Sequence, residues 1–175
     1  MRVIYSMSVS LDGFIAGRDG EIDWAAPDEE LMAFHNEQSR ELDAHFCGRG
    51  LYEDMLPWET REGEFAGIWK ALPKVVFSTT LGEVQGNARL ATESVAEELA
   101  RLGKTAVGQS VGGAVLAADL VEQDLIDEYR LFVNPVVLGG GTPFFPERRE
   151  RLGLELVETR TFGFRVAYLR YRRGR

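Results

Sequence analysis

From Arg2 to Val9 the chain alternates, placing Val3, Tyr5, Met7 and Val9 on one face and Ile4, Ser6 and Ser8 on the other. A period of two is that of a β-strand, and Ile4 on the second face predicts cover on both sides. The pattern then breaks at Asp12-Gly13, Gly17, Asp19-Gly20 and Asp23-Trp24, which predicts a long loop. Pro27 and Asp28 open a helix whose stripe is Leu31, Phe34, Gln38 and Leu42. Ala44 to Cys47 reads as a short strand ended by Gly48-Arg49-Gly50, and 51–63 as irregular. Phe65, Ile68, Trp69 and Leu72 mark a core-facing helix stopped by Pro73, and KVVFS (74–78) is a buried strand.

Ser94-Val95-Ala96-Glu97 forms a capping box, in which serine and glutamate each satisfy a free N–H of the other, and the helix it opens runs to Gly103. A strand over 105–111, the turn Gly112-Gly113 and a helix from Ala114 to Gln123 follow. Tyr129 to Val133 and Val136-Val137 read as strands around Asn134-Pro135. Leu154–Arg160 and Phe164–Arg172 read as a closing hairpin around Thr161-Phe162-Gly163. Strands alternating with helices indicate an α/β fold with a mostly parallel central sheet, helices on both faces and a C-terminal antiparallel hairpin.

The 175 residues suit one domain over 1–175, and a 45 % apolar, 27 % charged composition is that of a globular protein. No apolar run is long enough for a membrane span, and the N-terminus enters a strand pattern without a signal-peptide segment. The one cysteine, Cys47, has no internal disulfide partner, which fits a reducing, cytoplasmic setting. His35 and His45 lack metal-ligand spacing, so no metal site is expected. A net charge of −8 argues against nucleic-acid binding. The basic concentration at Arg165, Arg170, Arg172, Arg173 and Arg175 reads either as a solvated edge strand or as a phosphate site.

In such a sheet ligands collect at the carboxyl ends of the strands, and the glycines cluster there: Gly13 and Gly17, Gly48 and Gly50, Gly112 and Gly113. Glycine admits a ligand close to the backbone, and a following helix offers free N–H groups to phosphate. A Walker A loop is excluded because GKT at 103–105 would need a glycine at Glu98. GQSVGG at 108–113 lacks GxGxxG spacing.

MSVSLDGFIAG, CGRGLYEDM, VVFSTT and VGGAVLAADLVEQDLIDEYRLFVNPVVLGGGTPFF occur in that order. Together they resemble the dihydrofolate reductase-like superfamily, in the branch of the riboflavin-biosynthesis reductase domain and its stand-alone relatives. The resemblance covers about residues 2 to 172 and is most specific at Ser10–Gly13 and Gly112–Phe145. It implies an NADPH-dependent oxidoreductase resembling 5-amino-6-(5-phosphoribosylamino)uracil reductase, acting by hydride transfer on a small heterocyclic or carbonyl substrate, and a homodimer. It also implies cofactor contacts at Gly48, Arg49, Gly50 and Leu51, at Ser78 and Thr79, and at Gly112, Gly113, Ala114 and Val115. Relatives commonly read GRxTYE, so Leu51 stands where a threonine is usual. The phosphate loop is centred either on Gly112-Gly113 or on Gly108.

On the substrate side the resemblance points to Asp12, which otherwise reads as a turn aspartate bonding its own backbone. Trp24 reads as a wall of the nicotinamide or substrate pocket, or as a core residue. The folate-reducing branch holds its pterin with an acid on the first helix, near Asp28 or Glu29, yet both also suit a helix N-terminus. Dihydrofolate reduction, and a non-catalytic NADPH-binding dimer on the same fold, are the alternative readings. The zinc deaminase domain of the bifunctional riboflavin enzymes, marked by HxE together with PCxxC, is not found in these residues, whose single cysteine cannot supply PCxxC.

Overall fold

The alternating N-terminal segment forms β1 (Val3–Ser10), whose faces enter different layers. Val3, Tyr5 and Val9 join one apolar core, while Ile4, Ser6 and Ser8 line a cavity. The structure, a computed structural model, describes residues 2–102, 109–112 and 114–174. After β1 come β2 (Phe14–Ala16), a 3-10 turn at Asp23–Ala25, α1 (Glu29–Arg40), β3 (Ala44–Gly48) and α2 (Arg49–Met55). A 3-10 turn at Leu56–Glu59, α3 (Glu64–Ala71), β4 (Lys74–Phe77), β5 (Ala88–Leu90) and α4 (Val95–Arg101) complete the first half. The second half holds β6 (Gln109–Gly112), α5 (Ala114–Glu122), β7 (Glu128–Asn134), β8 (Thr142–Pro143), β9 (Leu154–Phe162) and β10 (Val166–Arg173).

Eight strands form one sheet in the order β5-β4-β3-β6-β1-β7-β10-β9. Neighbours from β5 to β7 are parallel, and β10 is antiparallel to both β7 and β9. On one face, Val95 and Leu99 of α4 and Leu116 and Leu120 of α5 share a core with Tyr5, Phe46 and Tyr129. On the other, Leu31 and Phe34 of α1 pack with Phe132, Phe162 and Tyr168, and Tyr52 of α2 packs with Cys47 and Val76. The helices start where side chains satisfy their free N–H groups. Asp28 accepts from the Leu31 amide at 2.8 Å, and Ser94 and Glu97 close the predicted capping box.

The fold departs from the sequence pattern at definite places. The segment read as irregular begins with α2, because Gly48 takes an extended conformation as its N-cap and Gly50 lies within the helix. Leu42 falls beyond α1, and Val136-Val137 does not extend β7, since Pro135 has no amide for a ladder. Gly112 ends β6 instead of forming a turn. Thr161 and Phe162 belong to β9, and the hairpin turn is Gly163-Phe164, both at positive φ (58° and 54°), closed by Arg165 N–H to Phe162 O. The arginine-rich β10 is not an edge strand, for β9 lies outside it. The helix end at Gly103 and the strand residues 105–108 lie outside the described residues.

Candidate active site

Parallel strands bring their carboxyl ends to one edge of the sheet. Gly48 pairs with Phe77 and Cys47 with Gly112, so the segments Gly48-Arg49-Gly50 and Ser78-Thr79 and residue Gly112 converge there. Beside them is a depression of 520 Å³ lined by Arg49, Ser78, Thr79, Thr80, Thr92 and Glu93, among others. Arg49 spans it, pairing with Glu53 at 2.8 Å and donating to the Thr80 hydroxyl at 2.7 Å. The Ser78 hydroxyl oxygen accepts from the amides of Thr80 and Leu81 at 3.2 and 3.1 Å, which fixes the turn after β4. Ala114 opens α5, whose Val115 is 88 % exposed. Gly108 and Gly113 lie outside the described residues.

Across α2 lies a cavity of 340 Å³ between α1, β1, β3, α2 and α3. Its walls are apolar, with Met32, Leu42, Leu51, Trp58, Phe65 and Phe132 among them. Leu51, at the position where relatives carry threonine, therefore turns its side chain to this cavity and also packs on the cluster of Cys47, Tyr52 and Val76. The polar lining consists of Ser6, Ser8, His35, Gln38, Ser39, His45 and Arg130. Burial pushes both His35 and His45 down to about 4, with the Lys74 ammonium adding to the effect at His45. Lys74 itself is buried behind this wall, where its Nζ donates to the carbonyls of Trp69 and Leu72 and pairs with Glu59 at 3.4 Å. Arg130 is buried and held by Glu128 at 2.6 Å and Glu41 at 3.7 Å.

Asp12 and Trp24 are not among the residues lining this cavity. The Asp12 carboxylate accepts from the Ser10 hydroxyl at 2.7 Å and from the amides of Leu138 and Gly139 at 3.1 and 2.8 Å. Those bonds, the Ser10 hydroxyl first, hold its carboxyl below the ordinary range. Asp12 thus ties the turn after β1 to the segment after β7. Arg18 adds a bond to the Gly139 carbonyl at 2.8 Å, and β2 pairs with β8. Gly141 has φ of +132°, and a Cβ there would lie 2.1 Å from the Ala16 carbonyl oxygen, so the close approach requires glycine. Trp24, half-buried, donates from Nε1 to the Glu21 carbonyl, and its own carbonyl accepts from Arg165.

The model of the RibD C-terminal domain matches residues 1–168. The chain belongs to the RibD C-terminal domain family. It is 34 % identical to the uncharacterized protein YyaP of Bacillus subtilis, over 97 % of this chain and 94 % of that one. A crystal structure of a Shewanella sp. PV-4 protein provisionally assigned to riboflavin biosynthesis superposes with a TM-score of 0.82 at 26 % identity, over the whole of both chains. Enterococcus faecalis dihydrofolate reductase, complexed with NADP(H) and RAB-propyl, superposes with a TM-score of 0.70 at 19 % identity, over 99 % of this chain and 97 % of that one. The fold is therefore dihydrofolate reductase-like. No helix among the described residues is long and apolar enough to cross a membrane.

For this RibD C-terminal family member, sequence reasoning missed most of the cavity. Of the stripe Leu31, Phe34, Gln38 and Leu42 that the hydrophobic pattern picks out, Gln38 and Leu42 line the cavity, while Met32, His35 and Ser39, which line it too, fall between the stripe positions. Ser6 and Ser8 carried a usable signal, because polar side chains on the covered face of a strand require a cavity or a polar partner. Asp28 is spent on the N-terminus of α1, and neither it nor Glu29 lines the cavity.

Proposed function

We propose that this protein is an NADPH-dependent reductase that transfers a hydride to a small heterocyclic or carbonyl substrate. The observation that carries the reading is that α2 borders both concavities. Arg49 lines the polar depression, while Leu51 and Met55 line the apolar cavity. A two-substrate enzyme requires such adjoining sites. The donor set fits a dinucleotide: one guanidinium for phosphate, three hydroxyls at 78–80, and open space within 4 Å of the positions a Cβ would take on Gly48 and Gly50. In this reading the pyrophosphate is held by Gly112 and Gly113 with the N–H groups of Ala114 and Val115, or by Gly108.

NADPH supplies the hydride when bound. The chain's own part is to bind, orient and exclude water. The apolar walls keep bulk solvent from the reacting carbon. A carbonyl that takes hydride at carbon must take a proton at oxygen. The described lining holds no carboxylate, and both imidazoles are neutral at pH 7, so the proton comes from water while the Ser6 and Ser8 hydroxyls hold the oxygen. Asp12 acts here by positioning the loop beside the carboxyl edge, and Trp24 by bracing the same cover. The absence of a carboxylate from the described lining makes dihydrofolate reduction the weaker reading.

Calorimetric titration of NADPH into the wild type and Arg49→Ala, followed by assays of NADPH oxidation, tests the proposal. Binding weakened about tenfold by loss of one charge-assisted phosphate contact is the expected result. Absence of any binding at sub-millimolar NADPH would falsify it.

A further inference from the structure

The depression at the carboxyl edge has a charge pattern as particular as its hydroxyls. Its floor is the turn after β4, with Ser78, Thr79 and Thr80. Strand order sets its flanks, for Arg49 follows β3 on one side, and Thr92 and Glu93 follow β5 on the other. Arg49 is the cation of the described lining and Glu93 the anion. Arg49 is engaged, with Glu53 at 2.8 Å and the Thr80 hydroxyl at 2.7 Å. Glu93 is exposed and has no hydrogen-bond or ion-pair partner among the described residues.

The neighbouring cations are committed as well. Arg89 and Arg101 pair with Glu98 at 2.5 and 3.7 Å, and Arg101 also donates to the Thr92 hydroxyl at 3.2 Å. Each of these three guanidiniums already faces a carboxylate, while Glu93 is paired with none. On the reductase reading, on which this inference rests, the pyrophosphate lies at Gly112 and Gly113, at the end of β6. β4 is two strands away, about 10 Å, so the depression falls to the adenosine ribose. Dinucleotide sites divide by charge at this sugar: a carboxylate that accepts from ribose hydroxyls suits the unphosphorylated cofactor, and an arginine suits the 2′-phosphate. This depression holds one of each. A phosphate dianion reaches Arg49 only in competition with Glu53, and Glu93 repels it. A free 2′-hydroxyl finds in Glu93 an acceptor with no other bond to break.

We propose that Glu93 is a specificity-determining residue of this protein. It accepts from the ribose hydroxyls and, with Glu53 drawing on Arg49, keeps the preference for NADPH over NADH below about tenfold. The hydride of the proposed reaction then comes from either dinucleotide.

The test titrates NADPH and NADH calorimetrically, in phosphate-free buffer, into the full chain as wild type, Glu93→Gln, Glu93→Lys and Glu53→Gln. Wild type should bind NADPH less than about tenfold more tightly than NADH. Glu93→Gln should raise that ratio about three- to fivefold by tightening NADPH and not NADH, and Glu93→Lys should raise it about tenfold or more. Glu53→Gln should shift it in the same direction. Because Glu93 is exposed and unpaired, both of its variants should keep the wild-type urea midpoint. A wild-type preference above about tenfold overturns the inference, as does an unchanged ratio in Glu93→Gln. Failure of both cofactors to bind overturns it together with the reductase reading. NADPH oxidised by a wild type that strongly prefers it removes this inference and keeps that reading. Both cofactors bound at the expected ratios, with neither oxidised, supports the role of Glu93 and removes the reductase reading instead.

Discussion

Replacing Glu98 by Gln removes a charge and an acceptor from the corner where β5 meets α4. The Glu98 side chain is inaccessible to solvent but lies near the surface, roofed by the half-exposed Arg89 and Arg101. Its Oε1 accepts from Arg89 and from the Thr92 amide, both at 3.0 Å, and its Oε2 accepts from Arg89 at 2.5 Å. A glutamine has one acceptor oxygen, so its amide group must confront an N–H on one side. The Arg89 bonds hold the carboxyl at about 2, against an ordinary 4.5. That gap corresponds to about 3 kcal/mol, which screening at the half-exposed Arg89 reduces to about 2 kcal/mol. With a urea slope of about 2 kcal/mol/M, the unfolding midpoint of Glu98→Gln should fall by about 1 M at pH 7.

The pH dependence follows from the same shift. The folded value is depressed, so the contribution is complete above the unfolded value near 4.5 and disappears as pH falls toward 2. The difference between wild type and variant should therefore narrow steadily below pH 5. Urea titrations at several pH values measure it. A difference under about 0.5 kcal/mol at pH 7, or one of constant size down to pH 3, refutes the reasoning. Thr92 also lines the depression, so under the proposed function the variant should weaken NADPH binding as well.

Asp12→Asn should speed hydrogen exchange at the amides of Leu138 and Gly139; because the Asp12 carboxyl is depressed, the wild-type protection should persist in mild acid and fade only at lower pH, and unchanged exchange in the variant would contradict the clamp. Phe164→Gly should raise stability by about 1 kcal/mol, since Phe164 is fully exposed at φ 54°; a lower urea midpoint would show that the ring contributes to the fold. Proton NMR should find His35 and His45 both titrating near 4. Their lowered values mean that stability complete above about 6.5 is lost as pH falls toward 4, and a titration near 6.5 for either would show that its ring is solvated.

Legibility from sequence followed the reach of each interaction. β1, the Ser94 capping box and the order of strands and helices were readable because alternation and capping are local. α2 was hidden because Gly48-Arg49-Gly50 looks like a chain break, and a helix of seven residues depends on tertiary packing, here of Leu51 and Tyr52 on Cys47 and Val76. β2 and β8 were invisible because each is set by the other, more than a hundred residues away. The convergence of Gly48, Ser78 and Gly112 was foreseeable from parallel topology. The cavity was not, for Met32, His35 and Ser39 fall between the positions of α1 that the apolar pattern picks out, and their facing walls come from β1, β3 and α3 far along the chain.

The strand order carries a consequence for how the chain reaches this state. β1 leaves the ribosome well before either of its neighbours, for Val3 pairs with Gln109 and Ile4 with Glu128. Neither partner exists when β1 is made, and closing loops of that length must precede any pairing. During synthesis the apolar alternation of Val3 to Val9 is therefore an unpaired ribbon awaiting the second half of the chain. Refolding should be slow relative to helical proteins of this size, and the nascent first half is the stage at which aggregation or chaperone capture competes with folding.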